Sequence, residues 1–469
     1  MKDSTFPTLL QNLFELLEAF RPTFRQERTF LRAFGLLLGE LFVFARHTVT
    51  QELLALGLTD ADWSAWYRLF SRNRFQPEAA SRILFRETLQ HVPAGQPYVV
   101  GADGVQVPRH SLKMPGTSWL KAAGTAPFKP GIHRAQRFLN LSWLVPIQEG
   151  YSRAIPLRWL PAFPAKAVAA EETPQKEWEA GLTGISWVRQ QLDNAGRHSQ
   201  WLLALVDGNF ERGVDFWKGL PERTVVLGRT ARQRVLHELP HYGGFGRPPD
   251  YGPRVKKPAE WLRERQGWQI SQLVVRGRSR EMRYRVEGPY LRDGLPKQPL
   301  FLIVVKGMDR KVNGRRMQRK PAFYLVSAIQ KRGKWVLPFP AEFLLAWAWQ
   351  RWELEVEHRE IKSGFGLGEK QCWNQRSAVV SVQWSAWVYA VLLLAGYRTW
   401  GLLQGPTSPG RWWRGARRWS FNTLWRGYRA ALWSTPDFRA VWTVTGDNWL
   451  KKGDWMAGLW NSTLGAARA

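Results

Sequence analysis

The sequence predicts an α/β protein whose mixed sheet is interrupted by a second β-rich region and flanked by helical regions at both ends. Three observations predict this class. Apolar residues recur at helical spacing over roughly the first 90 residues. Short β-rich or wholly apolar runs then alternate with helical segments, as in an α/β sheet. A basic group of strand-like runs follows, and after it come two helical segments and a basic C-terminal region.

The N-terminal region, residues 1–92, is expected to form a helical DNA-binding domain. A short helix from Thr48, a turn at Gly57 and a second helix capped by Thr59 and ending at Phe70 resemble a helix-turn-helix. Many helical bundles show the same pattern without reading DNA, so the sequence leaves both interpretations open.

Residues 93–229 are expected to form the first part of the core. The predicted strands are Tyr98–Val107, Arg137–Ile147, Ser152–Phe163, Trp201–Asn209 and Arg223–Arg229, with helices over Glu171–Asn194 and Phe210–Leu220. Three strands, a helix, a strand, a helix and a strand is the order of a ribonuclease-H-like core. Such a core needs one more helix lying across the sheet.

Residues 230–337 interrupt the core with four strand-like runs and a strong positive charge. From Arg229 to Lys334 there are 26 Lys and Arg against eight Asp and Glu, which gives +18 of the net +30 of the whole chain. The alternating Arg283 and Arg285 predict a platform for nucleic acid, and a solvated β-subdomain with surface arginines is the alternative. The pI of about 10.7 points to a polyanionic partner.

The second part of the core, residues 338–404, holds the helix that completes it. Ala341–Lys362 contains no Pro or Gly and is predicted to be one helix. At about 100° per residue, Arg351, Glu355 and Lys362 form one narrow stripe, with Arg351 about 40° and Lys362 about 20° from Glu355 around the helix axis. The alternative is a solvated helix with paired charges.

A second apolar helix follows over Ser377–Tyr397, a stretch of 21 residues without a charged side chain. Its length would allow a membrane span. Serines and a glutamine dilute its first half, so a buried core helix beneath the charged helix is the preferred interpretation. The region 405–469 is basic and rich in Trp, and its rings could either stack on bases or pack inward.

Three acids lie where the predicted core would bring them together. Asp103 lies within the first strand, Asp207 ends the fourth, and Glu355 lies on the completing helix. Three carboxylates without His or Cys suit hard cations, so we expect Mg²⁺ or Mn²⁺. Two such ions about 4 Å apart can activate a water or a 3′-hydroxyl and stabilise the leaving oxygen of phosphoryl transfer.

At these residues the sequence resembles the DDE transposases of bacterial insertion sequences, in the branch with a β-rich insertion. The signature of that branch is Tyr, two residues, Arg, three residues, Glu, six residues, Lys. Arg351, Glu355 and Lys362 match its spacing, whereas Ala348 stands at the Tyr position. Asp103 in GADGVQVPR and Asp207 in LLALVDGNF match the two aspartates, and the likeness extends over about residues 48–397.

The resemblance implies an enzyme that cleaves at terminal inverted repeats and transfers strands into target DNA. It implies a catalytic and metal-binding triad of Asp103, Asp207 and Glu355, two Mg²⁺ or Mn²⁺ ions, and a homodimer on paired ends of double-stranded DNA. DNA contacts are expected from a group of basic residues, namely Arg351, Lys362, Arg229 and Arg359.

We expect a cytoplasmic protein that joins the nucleoid when bound to DNA and uses no membrane, since the first residues do not have the pattern of a signal peptide. The alternative function is a non-catalytic DNA-binding protein derived from a transposase, which the loss of the signature Tyr at Ala348 favours. A basic membrane-associated protein is a third hypothesis.

Overall fold

The computed structural model describes residues 5–122, 131–168, 174–244, 246–312, 315–372, 374–406 and 418–434. Within this part the α-helices are α1 Thr5–Phe20, α2 Glu27–Phe42, α3 Val49–Ala55, α4 Trp63–Ser71, α5 Pro77–Leu89, α6 Glu177–Asn194, α7 Gly208–Arg212, α8 Val214–Lys218, α9 Ala341–Gln350, α10 Trp352–Gly364, α11 Gln375–Trp400 and α12 Phe421–Ser434. The strands are β1 Tyr98–Pro108, β2 Thr117–Lys121, β3 Ile132–Leu144, β4 Ala154–Pro161, β5 Leu202–Val206, β6 Thr224–Arg229, β7 Leu236–His237, β8 Gln269–Val275, β9 Arg278–Arg292, β10 Leu295–Val305, β11 Met308–Val312, β12 Arg315–Arg319, β13 Ala322–Ser327, β14 Ile329–Lys331 and β15 Lys334–Val336.

The predicted fold class is confirmed by the arrangement of the core strands. They lie in the order β4-β3-β1-β5-β6, in which β4, β3 and β1 pair antiparallel while β1, β5 and β6 pair parallel. This is a ribonuclease-H-like mixed sheet, with helices before and after it in the chain. Strand β5, which was predicted as a buried strand, lies at the centre of this order. Alternate residues of β5 enter different hydrophobic cores: Leu202 and Ala204 enter one, and Leu203 and Leu205 enter the other.

Strands of the basic region continue this same sheet. Strand β13 pairs antiparallel with β6, and β10, β9 and β7 follow it, so that the sheet contains 11 strands in all. The four strand-like runs expected in this region correspond to β8, β9, β10 and β13. The short edge strand β2 was not predicted, since its five residues carry no alternating pattern and follow a loop.

Only one of the two arginines predicted to form a nucleic-acid platform is exposed. Arg283 is exposed, but the side chain of Arg285 is only 9% exposed and pairs with Glu287. Its guanidinium lies over the rings of Trp261 and Trp268, at 4.4 and 5.6 Å from their centroids. Arg285 therefore contributes to packing of the region, because the two tryptophan rings cover it, although it lies on the same strand face as the exposed Arg283.

The single helix predicted over Ala341–Lys362 is divided at Arg351 into α9 and α10. The backbone N–H of Leu354 donates to the carbonyl of Arg351 at 3.1 Å, three residues back, which tightens the turn at this point. Gln350 donates to the carbonyl of Gly150 at 3.1 Å and holds the junction against the β3–β4 connection. Arg351 keeps helical dihedral angles, so the spacing of the stripe along α10 is preserved.

Three other predicted helices have different bounds. The helix expected over Phe210–Leu220 is two short helices, because Gly213 is extended between α7 and α8. The helix expected from Glu171 begins at Glu177, and the first three residues predicted for it lie outside the described residues. In the helix-turn-helix candidate, Gly57 has the positive φ of 70° that its turn requires.

The second helix of that candidate begins later than predicted. Asp62, not Thr59, caps α4, and its carboxylate accepts from the backbone N–H of Ser64 at 3.0 Å. Thr48 caps α3 as expected. Both Thr59 and Asp62 are suitable cap residues, and only the tertiary packing selects between them.

Helix α11 contains the apolar stretch considered as a membrane span. It is the one helix of the described chain that is long and apolar enough to cross a bilayer, and 89% of its apolar window is buried within the fold. It packs against α1, β4 and α5. Its apolar character is thus accounted for by the core beneath α10.

A buried ion cluster joins the N-terminal helices to the chain that follows α10. The ammonium of Lys370 lies 2.6 Å from Glu40 and 2.7 Å from Glu52, and donates to the carbonyl of His47 at 2.9 Å. The His47 ring contacts Glu40 at 2.5 Å. This cluster fixes α2 and α3 relative to the loop between α10 and α11.

Part of the Trp-rich region packs inward. Trp419 is buried, and its indole N–H donates to the carbonyl of Gly401 at 2.8 Å. Trp425 donates to the carbonyl of Leu41 at 3.0 Å. The remaining tryptophans of the predicted stretch before residue 418 lie outside the described residues.

Candidate active site

The two aspartates singled out in the sequence lie at the ends of neighbouring strands. Strands β1 and β5 are parallel, and Ala102 pairs with Val206 in the residue register. Asp103 and Asp207 each follow that pair directly, so the fold brings them side by side. Asp207 also caps α7, since its Oδ1 accepts from the N–H of Asn209 at 2.8 Å.

Arg351 connects the first aspartate to the predicted glutamate. Its Nη1 lies 3.5 Å from Oδ2 of Asp103, and its Nη2 lies 3.1 Å from Oε1 of Glu355. The helix α10 crosses β1 closely here, because a Cβ at Gly101 would lie 2.7 Å from the Leu354 side chain. The absence of a side chain at Gly101 therefore lets the helix carry Glu355 to the sheet.

The electrostatics of Asp103 are those of a buried carboxyl among like charges. Burial raises its pKa to about 7, the guanidinium of Arg351 opposes this, and the charges of Asp207 and Glu177 add to it. Carboxyl groups whose pKa is raised by burial and by neighbouring acids occur often at functional sites. A bound cation at this place would favour the ionised form.

Glu177 is a fourth carboxyl at this site that the sequence analysis missed. It is the first residue of α6, and its carboxyl lies against Gly104, where a Cβ would be 2.3 Å from its carboxyl carbon. Burial, followed by the opposing charge of Arg137 and the like charge of Asp207, leaves its pKa raised. In sequence, an acid in the first turn of a helix indicates only a favourable interaction with the helix dipole.

Helix α10 is anchored to the sheet directly beside this site. Glu357 is buried, accepts from the amide of Asn140 at 2.8 Å and contacts the hydroxyl of Ser142 at 2.6 Å. Asn140 is the register partner of Asp103 on β3. The anchor thus acts on the strand residue opposite Asp103 and on the helix residue two positions after Glu355.

A second anchor lies one turn further along α10. Glu360 contacts the guanidinium of Arg153 at 3.1 Å and accepts from the hydroxyl of Tyr389 on α11 at 2.7 Å. The side chain of Arg153 is 6% exposed and that of Glu360 13%. Both anchors fix the rotation of α10 about its axis, which determines where Glu355 points.

The donor atoms of the site fit a hard divalent cation, since they are carboxylate oxygens alone. Within the described residues, no three His, Cys, Asp or Glu side chains already lie close enough to share one ion. The guanidinium of Arg351 instead lies between Asp103 and Glu355 and supplies the positive charge there. A metal held by these two carboxylates therefore requires Arg351 to move aside.

The other basic residues expected to contact DNA come from two elements near this site. Arg359 and Lys362 are exposed on α10, and Arg229 is exposed at the end of β6. The structure brings Arg229 together with Arg351 around one cavity. No ion pair joins Arg359 or Lys362 to another described residue, so both remain available to a ligand.

That cavity has a volume of about 410 Å³ and opens beside the last residues of β5. Four arginines and three aromatic residues are the main side chains around it: Arg229, Arg276, Arg280, Arg351, Tyr324, Trp349 and Trp352. Ala348, which stands at the Tyr position of the expected signature, also lines it. Of these seven residues the sequence analysis proposed only Arg229 and Arg351 as DNA contacts, because the others are spread over several elements and carry no shared motif.

Comparison with known protein families identifies this chain. A family model described as DDE superfamily endonuclease matches residues 15–289, which is more than half of the chain. The matched segment contains Asp103, Asp207 and Glu177 and ends before the helix that carries Glu355. A comparison with curated proteins finds no match.

Proposed function

We propose that this chain, which belongs to the DDE superfamily endonuclease family, is the transposase of a bacterial insertion sequence. It binds terminal inverted repeats, cleaves at them and transfers the strands into target DNA. The observation that supports the proposal is that Arg351 pairs with both Asp103 and Glu355, while the parallel register of β1 and β5 sets Asp207 beside Asp103.

Family membership implies DNA as the substrate and divalent metal ions as the usual cofactor. In our proposal Asp103, Asp207 and Glu355 hold the metal, which is Mg²⁺ or Mn²⁺ in two sites, and Glu177 stands beside them. Bound there, such ions would activate a water or a 3′-hydroxyl of the DNA and would neutralise charge that develops on the phosphate. The protein's own residues orient the strand, exclude competing phosphates and keep the carboxylates together.

The basic side chains have a positioning role in this proposal. Arg351 leaves the two carboxylates and grips a phosphate near the cut, and Lys362 and Arg359 continue that contact along α10. Arg229 holds the strand from the sheet side. Phosphate contacts of this kind fix register and orientation without reading sequence.

The remaining features of the proposal follow from the transposase assignment. The N-terminal helices, with the helix-turn-helix candidate between Thr48 and Phe70, read the inverted repeat. Two copies assemble on paired ends. The protein works in the bacterial cytoplasm, on the nucleoid, without a membrane.

The direct experiment is a cleavage assay on DNA that carries the ends flanking the element, with Mg²⁺, Mn²⁺, Ca²⁺ or EDTA. We expect nicking at the element boundary with Mg²⁺ or Mn²⁺ and none with EDTA. End binding without cutting in every metal would reject catalysis. An absence of end binding at low salt would reject the transposase assignment altogether.

A second candidate function is a non-catalytic DNA-binding protein derived from a transposase. Two observations favour it. Ala348 occupies the Tyr position of the expected signature, and Arg351 already neutralises Asp103 and Glu355 without a metal. This candidate predicts salt-sensitive DNA binding with no metal-dependent cutting, which the same assay distinguishes.

A further inference from the structure

The cavity beside the proposed active site is built to receive an anion. Leu205 and Val206, which directly precede Asp207, line it together with Arg351. Around it the structure places four guanidinium groups, of which Arg351 and Arg276 have carboxylate partners and Arg229 and Arg280 have none among the described residues. A group that binds here would therefore lie next to both Asp207 and Arg351.

Tyr324 presents a phenolic hydroxyl to this cavity. It lies on β13 directly opposite Arg229 on β6 in the residue register. Burial raises the pKa of Tyr324, and the nearby charges of Arg229, Arg351 and Arg319 lower it by a smaller amount. Among the described residues its hydroxyl has no hydrogen-bond partner, so it is available to donate to a group bound in the cavity.

Two of the arginines are equally available. Neither Arg229 nor Arg280 makes an ion pair with a residue whose side chain the structure describes. The guanidinium of Arg280 lies over the ring of Trp349 at 5.8 Å, and that of Arg319 lies over the same ring at 5.7 Å. The indole therefore orients Arg280 without neutralising its charge.

A further arginine of the cavity lies in the turn between β8 and β9. Arg276 has a φ of +51°, a region that favours Gly or Asn. Its backbone N–H donates to the carbonyl of Gly150 at 3.0 Å, which fixes the turn against the β3–β4 connection. The side chain has one weak ion pair, with Glu353 at 3.7 Å. The positive φ of Arg276 and of Gly277 is the one required by the two-residue turn that joins β8 to β9.

We propose that the hydroxyl of Tyr324 and the guanidinium groups of Arg229 and Arg280 bind one phosphate of the DNA strand next to the cut. The proposal rests on the proposed function, because it takes the ligand to be the DNA that the carboxylates process. Arginine forks and hydroxyl donors suit phosphate oxygens. The ring of Trp352, 51% exposed at the cavity edge, is free to contact the adjoining sugar.

The small side chain of Ala348 is part of this arrangement. Ala348 and Tyr324 line the same cavity from different elements, the first from α9 and the second from β13. A larger side chain at position 348, such as tyrosine, would take up part of the cavity that Tyr324 also lines. Tyr324 thus brings a phenol to this cavity from strand β13. In the expected signature, the tyrosine would come from helix α9 at position 348.

The experiment combines backbone-modified DNA with single protein variants. End DNA is prepared with a neutral methylphosphonate at each of the phosphates around the cut, one at a time. Binding is measured for the wild type, Tyr324→Phe, Arg229→Gln and a matched control, Tyr290→Phe, which removes a phenol of the same sheet outside the cavity. Thermal unfolding of each variant checks that the fold is kept.

We expect one phosphate at which the neutral substitution weakens wild-type binding by about tenfold. At that phosphate alone, Tyr324→Phe and Arg229→Gln lose most of the sensitivity, whereas Tyr290→Phe behaves as the wild type. This pattern identifies the contact as a pairwise coupling, which a merely structural role of Tyr324 would not produce.

Equal sensitivity of Tyr324→Phe and the wild type at every phosphate would overturn the phosphate site. That outcome leaves the proposed function intact, provided that the wild type cuts its ends. Failure of the wild type to bind or cut end DNA would instead reject the proposed function, and the phosphate site with it. The variant Ala348→Tyr gives an independent check, since we expect it to weaken end binding by crowding the Tyr324 hydroxyl, and an improvement would contradict the proposal.

Discussion

The guanidinium of Arg351 lies 3.5 Å from the carboxylate of Asp103, although 248 residues separate them in the chain. The same guanidinium reaches Glu355 at 3.1 Å. A single cation thus joins a strand residue and a helix residue that are expected to share a metal ion. This relationship makes Arg351 a competitor of the metal in the absence of DNA.

The first prediction concerns that competition. Arg351→Gln removes the cation between Asp103 and Glu355, so Mn²⁺ binding without DNA should tighten, by about three- to tenfold for a partly exposed pair. Cleavage should nevertheless fall, because the variant loses a phosphate contact. Mn²⁺ binding followed by electron paramagnetic resonance measures the first effect. Arg359→Gln, an exposed arginine of the same helix, is the control, and equal Mn²⁺ affinities in all three proteins would contradict the prediction.

The second prediction concerns the fourth carboxyl. Glu177→Gln should raise the Mg²⁺ concentration for half-maximal cleavage by about 10- to 100-fold, the range found for residues that support metal ligands. Gly104→Ala should act in the same direction, because its Cβ would lie 2.3 Å from the Glu177 carboxyl carbon and displace it. End binding should stay unchanged in both variants.

Arg137→Met is the matched control for this prediction, since it breaks the 3.6 Å ion pair of Glu177 and leaves the carboxyl in place. Its effect on the Mg²⁺ requirement should be smaller. An effect of Arg137→Met as large as that of Glu177→Gln would show that Glu177 acts only through this ion pair.

The third prediction is a pH dependence of stability at the buried cluster of Glu40, His47, Glu52 and Lys370. Burial, aided by the charge of Glu40 and opposed by Lys370, raises the pKa of Glu52 to about 8. A raised folded-state pKa stabilises the protein fully below the unfolded pKa, and this contribution is lost as the pH rises through about 8. Glu52→Gln removes the titrating proton.

Between pH 6 and 9 the wild type should therefore lose about 2 kcal/mol more unfolding free energy than Glu52→Gln. Denaturant unfolding at the two pH values measures the difference. Glu15→Gln, a change at an exposed glutamate of α1, should follow the wild type. Parallel pH profiles of the wild type and Glu52→Gln would be inconsistent with a protonated Glu52.

Much of the fold and part of the site could be predicted from the sequence because their signals are local. A wholly apolar run such as Leu202–Val206 indicates a strand buried on both faces, and the acid that ends it lies at the edge of the sheet. Residues four apart on a helix share a face, so the pairing of Arg351 with Glu355 follows from spacing.

Other features depend on packing between distant segments and leave no local signal. Glu177 looks like an ordinary acid in a first helical turn, and its place beside Gly104 follows only from how α6 packs on β1. Arg285 alternates like a surface arginine, yet two Trp rings cover it. Tyr324 lies opposite Arg229 only because β13 pairs with β6, two strands that are far apart in the sequence.

The most direct measurement is the rate of strand cleavage at the element boundary for Asp207→Asn beside Asp215→Asn, with Mg²⁺ or Mn²⁺. Asp215 is an exposed aspartate eight residues along the chain, in the next helix. We predict that Asp207→Asn abolishes cleavage but keeps end binding, whereas Asp215→Asn keeps both. Full nicking by Asp207→Asn would contradict the assignment of Asp103, Asp207 and Glu355 as the catalytic carboxylates.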